Sequence, residues 1–95
     1  MLDPVSKHHD EVRVIQPTWH CLLRFRQRVD VPIGTDAAVT ALRESLERAD
    51  LTRMAPGWLA GRDRGARMWA VDGDLAYPLS QGRGGVWTAA TVLRR

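Results

Sequence analysis

Between positions 18 and 30 the apolar residues Cys21, Leu22, Phe25 and Val29 recur at the spacing of a helix that buries one face. Thr18 offers a side-chain oxygen as N-cap, and the Val-Pro-Ile-Gly run at 31–34 ends the helix. His20, Arg24 and Arg28 recur every four residues along the border of the apolar arc, while Leu23 falls outside it. A second helix is predicted over 34–52, with Val39, Leu42, Leu46 and Ala49 on its apolar face and Thr35 or Asp36 as cap. Arg43 with Glu47 and Glu44 with Arg48 would pair at i,i+4 on its outer side. After Met54 the period drops to two. A short strand is predicted at 58–61, a basic loop follows, and Asp72-Gly73 carries the signature of a two-residue hairpin. That register sets Ala70 against Leu75 and Met68 against Tyr77 on the core side. Pro78, which cannot donate to a ladder, marks an edge or the end of regular pairing. Residues 80–85 read as a flexible turn, and Val86, Thr88, Ala90 and Val92 alternate with Trp87, Ala89, Thr91 and Leu93 in a last strand.

The start of the chain has no such period. Residues 1–12 read as a flexible leader, and 11–17 as a short edge strand or an extended segment before Pro17. The expected architecture is one α+β domain over 13–95: two N-terminal helices packed on one face of a three- to four-stranded, mostly antiparallel sheet.

Composition narrows the function. With 95 residues there is room for one domain, and no apolar run approaches the roughly 18 residues of a membrane span. The N-terminus lacks the pattern of a secretory signal, so a cytoplasmic protein without a membrane partner is expected. Cys21 stands alone, which excludes an intramolecular disulfide and a thiolate-rich zinc site. Lys7 is the only lysine among 14 basic residues, a bias typical of a GC-rich genome. The net charge of +3 is uneven: Arg24, Arg26 and Arg28 form one cluster, Arg62, Arg64 and Arg67 another, and Arg94 and Arg95 a third. Such clusters suit a polyanion, and equally an ordinary solvated surface.

No metal site or cofactor is expected. His8 and His9 lie in the leader, His20 and Cys21 point to different arcs, and no H-E-x-x-H or C-x-x-C spacing occurs. The Gly-Arg-Gly-Gly run opens a strand where a phosphate loop would open a helix, and Ser6, Ser45 and Ser80 lack a nucleophile elbow. His20 remains as a candidate acid-base group, because an imidazole exchanges protons near neutral pH. Arg24 and Arg28 could hold a phosphate in their donor forks. The structural alternative makes His20 a boundary residue and the arginines apolar stems that cover the core. Arg62, Arg64 and Arg67 could track a nucleic-acid backbone, with Trp58, Trp69, Tyr77 or Trp87 as stacking platforms, or those aromatics could fill the core.

Two helices, the first carrying H-x-x-x-R-F-R-x-R, followed by a sheet whose last strand ends GGVWTAATVLRR, resemble the small toxin nucleases of the barnase, EndoU, colicin and RelE-like group. The resemblance covers about residues 15–95 and implies metal-independent cleavage of RNA in a toxin, phage or mobile-element setting, with an inhibitor or antitoxin as partner. It assigns His20 and Arg24 to the helical half of the site, Arg28 more loosely, and Thr88 to the sheet half. No second histidine is on hand for the sheet, so the acid that protonates the leaving oxygen would be Tyr77, Arg67 or water. Two other readings stay open: a non-enzymatic phage protein that binds and inhibits a host protein, and a nucleic-acid-binding module without cleavage, centred on Arg62, Arg64 and Arg67.

Overall fold

The computed structural model describes residues 2–29, 34–59 and 65–95. The first helix, α1 (Trp19–Val29), forms where its apolar spacing places it, with Cys21, Leu22 and Phe25 buried. Thr18 caps it: its Oγ1 accepts the backbone N–H of Cys21 at 3.1 Å. The second, α2 (Thr35–Arg48), buries Ala38, Leu42, Ser45 and Leu46. Neither Thr35 nor Asp36 caps it; the N-cap position is Gly34, in extended geometry, with no side-chain bond. Arg43 does face Glu47, at 3.9 Å, whereas Arg48 turns from Glu44 to Asp72.

The sheet departs from the expected three or four antiparallel strands. It is a curled, mixed sheet shaped as a half-barrel, built from β1 (Val5–Ser6), β2 (Val14–Pro17), β3 (Asp50–Thr52), β4 (Met68–Asp72), β5 (Leu75–Gln81), β6 (Val86–Ala89) and β7 (Leu93–Arg94). The order is β1-β2-β6-β5-β4-β3, with β7 also on β5. Besides β1, which forms in the predicted leader, three departures raise the strand number. The segment predicted to be an edge is β2, and it lies inside the sheet, antiparallel to β1 and parallel to β6. The tail of the second predicted helix, Asp50–Thr52, leaves it at Ala49 and pairs with β4. The last strand is broken in two. Ala89 pairs with Leu79 and Leu93 with Ala76, so three residues on one strand oppose two on the other, a bulge opposite Pro78, which has no N–H to give. Only a 3-10 turn, Gly57–Leu59, occupies the start of the strand expected at 58–61.

The hairpin between β4 and β5 turns one residue later than predicted. Asp72 pairs with Leu75, so the loop is Gly73-Asp74, and Gly73 adopts φ 57°, which a side chain would strain. Because both strands shift by one residue, each side chain keeps its face. Met68, Ala70, Tyr77, Leu79, Trp87, Ala89 and Ile15 meet Cys21, Leu22, Phe25 and Leu42 of the helices in the main core. On the other face Trp69, Ala76, Leu93 and Leu59 form a smaller apolar cluster, packed by Trp58, Ala66 and Val71.

Residues 2–12 are part of the fold, not a leader. Leu2, Val5 and Val12 are buried in the main core because β1 and the turn after it close one end of the sheet. His9 shapes that turn: its Nδ1 accepts the backbone N–H groups of Glu11 and Val12 at 3.0 and 3.2 Å. Lys7 then reaches the open end of α2, where Nζ donates to the carbonyls of Leu46, Glu47 and Ala49 at 2.8–2.9 Å. A helix C-terminus presents unpaired carbonyls and partial negative charge, and an ammonium with three donors matches both. Burial lowers the Lys7 pKa, and Asp50 and Glu47 partly offset that.

Candidate functional site

The helices cover one face of the sheet, and the small apolar cluster covers part of the other. What remains open on that second face is polar. Thr88 of β6 alternates with the buried Trp87 and Ala89, so its side chain points away from the helices. It stands opposite Ser80 on β5 and beside Gln16 on β2. The pairing of Met68 with Leu79 brings Arg67, one residue earlier, next to Ser80. Gln16, Thr88, Ser80 and Arg67 thus form one row across four chain segments.

A cleft of about 440 Å³, within the size range of small-ligand sites, opens at the Arg67 and Ser80 end of this row, with Thr88 next to Ser80 but outside its lining. It is lined by residues 65–67, by Pro78, Leu79, Ser80 and Gln81 of β5, by Trp87 of β6 and by the bulge residues Ala90 and Thr91. Among the described residues, the side chains of Arg67, Ser80, Gln81, Thr88 and Thr91 have no protein partner. The contrast with other arginines gives this weight. Arg43 donates to the carbonyls of Asp3 and Pro4, Arg48 to both Asp72 oxygens, and Arg53 to Glu11. Arg67 is exposed, carries an open guanidinium fork, and faces hydroxyl and amide groups with no carboxylate among the residues lining the cleft.

Helix α1 is fastened to the far side of the cleft. Thr18 Oγ1 donates to the Ala90 carbonyl at 3.4 Å, Thr18 N–H to Ala89, and Arg28 Nε to the Val92 carbonyl at 2.7 Å. Arg94 returns the contact by donating to the Arg28 carbonyl. The bulge leaves its backbone carbonyls out of the ladder, and α1 supplies their donors.

The predicted site residues therefore separate into groups. His20 and Arg24 come together on the exposed side of α1, in a long 3.5 Å contact between Arg24 Nε and His20 Nε2, and Arg24 also donates to Gln27 at 3.1 Å. Arg28, half-buried, serves the Val92 carbonyl. Thr88 lies on the opposite side of the sheet from His20 and Arg24, so those three do not form one constellation. Arg67 lines the cleft, while Arg62 and Arg64 lie outside the described residues. Sequence reasoning weighed Ser80 only as a nucleophile, set Ser80 and Gln81 in a flexible turn where the structure has them ending β5, and gave Thr91 no role. The signal for Ser80 was its place in a strand as a polar residue between Pro78-Leu79 and a glycine-rich turn, opposite Thr88 once β5 and β6 are paired.

Tyr77 is no candidate acid for the cleft. It is buried on the helix side, its hydroxyl 2.7 Å from Ser45 Oγ, and burial raises its pKa. Trp69 and Trp87 are buried too, which leaves Trp58, half-buried in the small cluster, and Trp19, exposed on α1. Among the described residues no three His, Cys, Asp or Glu side chains group as metal ligands, and no helix is long and apolar enough to cross a membrane.

Compared with protein-family models, curated proteins and solved structures, the chain matches none of them.

Proposed function

We propose that the protein binds an unpaired RNA strand in the cleft on the open half of its sheet. The observation that carries this reading is the row of Arg67, Ser80 and Thr88, side chains without protein partners beside a cleft of about 440 Å³. Arg67 supplies a fork for phosphate, and the hydroxyls with Gln81 supply neutral donors and acceptors for a base edge or a 2′-hydroxyl. A recessed floor of this size accepts a splayed nucleotide better than the convex surface of a duplex. The chain's positive charge adds a non-specific, salt-sensitive attraction.

Cleavage of the bound strand is the second reading. It is favoured by one contact: the end of α1 that carries His20 is fastened to the cleft wall through Thr18 and Ala90. His20 would then act at the cleft's margin with Arg24 as its neighbour, and without Thr88 as a direct partner.

Fluorescence anisotropy with a labelled single-stranded RNA, and with DNA of the same sequence, tests the proposal. Arg67→Glu is expected to weaken RNA binding at least about tenfold and to lower the salt slope by about one. Arg95→Glu, remote from the cleft, is the control. Equal affinity in wild type and Arg67→Glu would overturn the assignment. Gel analysis of the same mixtures separates the two readings: intact RNA supports binding alone, and cleavage lost in His20→Ala supports the second.

A further inference from the structure

Between β1 and β2 the chain turns through a loop closed by a backbone bond from Lys7 N–H to the Arg13 carbonyl, at 2.9 Å. Inside that loop the N–H groups of Glu11 and Val12 reach no backbone carbonyl; both donate to His9 Nδ1, at 3.0 and 3.2 Å. Accepting the N–H groups two and three residues on is the work that Asn, Asp, Ser and Thr side chains usually do in turns. Here the acceptor is an imidazole nitrogen, which accepts only while the ring is neutral and carries its proton on Nε2. We infer that His9 is a pH-operated latch: proton uptake at Nδ1 removes the acceptor of both N–H groups and releases the segment of residues 2–12 from the half-barrel. His9 lines no part of the cleft of Arg67, so the latch is independent of the RNA reading.

The turn holds more than itself. Val12 is fully buried, and an N–H that loses its partner beside the core is costly. The Glu11 carbonyl accepts Trp87 Nε1 at 3.1 Å, and the Glu11 carboxylate pairs with Arg53. Once β1 leaves, β2 becomes an unpaired sheet edge. The surroundings give a charged ring no replacement bond. His9 borders a hollow of about 360 Å³ together with Lys7 and His8 of its own segment, Glu47 and Arg48 of α2, and Asp50 of β3. Asp10 and Glu11 follow it in the turn. Lys7 donates to the carbonyls at the end of α2 with Glu47 and Asp50 near it, Arg48 holds Asp72, and Arg53 holds Glu11. Among the described residues no carboxylate pairs with His9. The open turn takes up a proton freely, whereas the closed turn gives up two bonds to do so. The latch therefore weakens as pH falls through the range in which imidazoles gain charge, roughly 8 to 5.

Hydrogen exchange of the 95-residue chain, wild type against His9→Asn, tests the latch at pH 7.5 and pH 5.5. Asn keeps an acceptor for the Glu11 and Val12 N–H groups but takes up no proton, and the ratio of the two proteins at one pH cancels the intrinsic pH dependence of exchange. For the Lys7 amide a ratio near one is expected at pH 7.5, and exchange at least about tenfold faster in wild type at pH 5.5. A ratio that does not change with pH would overturn the inference, as would an equal loss of the pH response in His8→Asn or Glu11→Gln. Where Asn fails to hold the turn, seen as fast exchange in the variant at both pH values, NMR of the wild type decides. The neutral His9 ring is expected to carry its proton on Nε2, and opening of the segment is expected to follow the titration of that ring. A neutral ring with its proton on Nδ1, or opening that tracks another group, would refute the latch.

Discussion

Ser80 and Thr88 stand directly opposite each other on β5 and β6, on the sheet face that the helices leave open, with Arg67 next in the same row. Neither hydroxyl has a protein partner among the described residues. Nothing in the fold requires them to be polar.

Thr88→Val keeps the branched shape and removes the hydroxyl. Stability should change by less than about 0.5 kcal/mol, and RNA affinity should fall about three- to tenfold, the worth of one hydrogen bond. Anisotropy alongside urea denaturation checks both halves. A stability loss with unchanged binding would show that Thr88 serves the fold.

Arg28 gives the opposite pattern. Arg28→Met keeps the apolar stem but leaves the Val92 carbonyl in the bulge without its donor. A loss of about 1–2 kcal/mol in urea denaturation is expected, with RNA affinity changed less than in Arg67→Glu.

How much of this was legible in the sequence depends on the range of the contacts involved. Helix α1 and its Thr18 cap follow from local spacing and one local hydrogen bond, and both stand as read. β2 does not, because a four-residue segment ending in Pro17 resembles an edge until it pairs in parallel with Val86–Ala89, a strand some seventy residues away. The same limit governed the site. The alternation of Trp87, Thr88 and Ala89 tells that Thr88 faces away from the core, but the sequence does not tell which sheet face the helices cover. Once α1 lies on the side of Trp87 and Ala89, Thr88 parts from His20 and Arg24 and joins Ser80. Lys7 was illegible for a related reason: its acceptors lie about forty residues ahead, at the end of α2.

A buried polar chain links the core to the surface. Tyr77 donates to Ser45 at 2.7 Å, Ser45 donates to Asp72 at 2.7 Å, and Asp72 accepts Arg48 at 3.0 and 3.1 Å. Ser45→Ala should cost about 1–3 kcal/mol, because it leaves the Tyr77 hydroxyl buried and unpaired. Adding Tyr77→Phe should recover part of that loss. A double-mutant cycle by urea denaturation measures it; additive losses would show that the bond contributes little.

The alkaline limb of stability should begin at Cys21. Burial pushes its thiol from 9.0 up to about 12, so the folded state holds a proton that the unfolded chain releases. Its contribution, on the order of 4 kcal/mol, is present below pH 9 and lost as pH rises toward 12. Tyr77, raised from 10.0 by burial, adds to the loss above pH 10. Lys7, lowered from 10.5, works the other way and favours the fold as it deprotonates. Thermal melts from pH 8 to 11 should fall less steeply in Cys21→Ala than in wild type.

Lys7 has three backbone carbonyls as its hydrogen-bond acceptors, and it is the only lysine of the chain. Any chemistry aimed at a lysine side chain, whether acylation, cross-linking or attachment of a degradation tag, therefore has one address, and that address is the clasp between the N-terminal segment and the end of α2. Such a reaction has to open the clasp before it can proceed. The rate of amine labelling at this position becomes a clock for how often one end of the domain lets go.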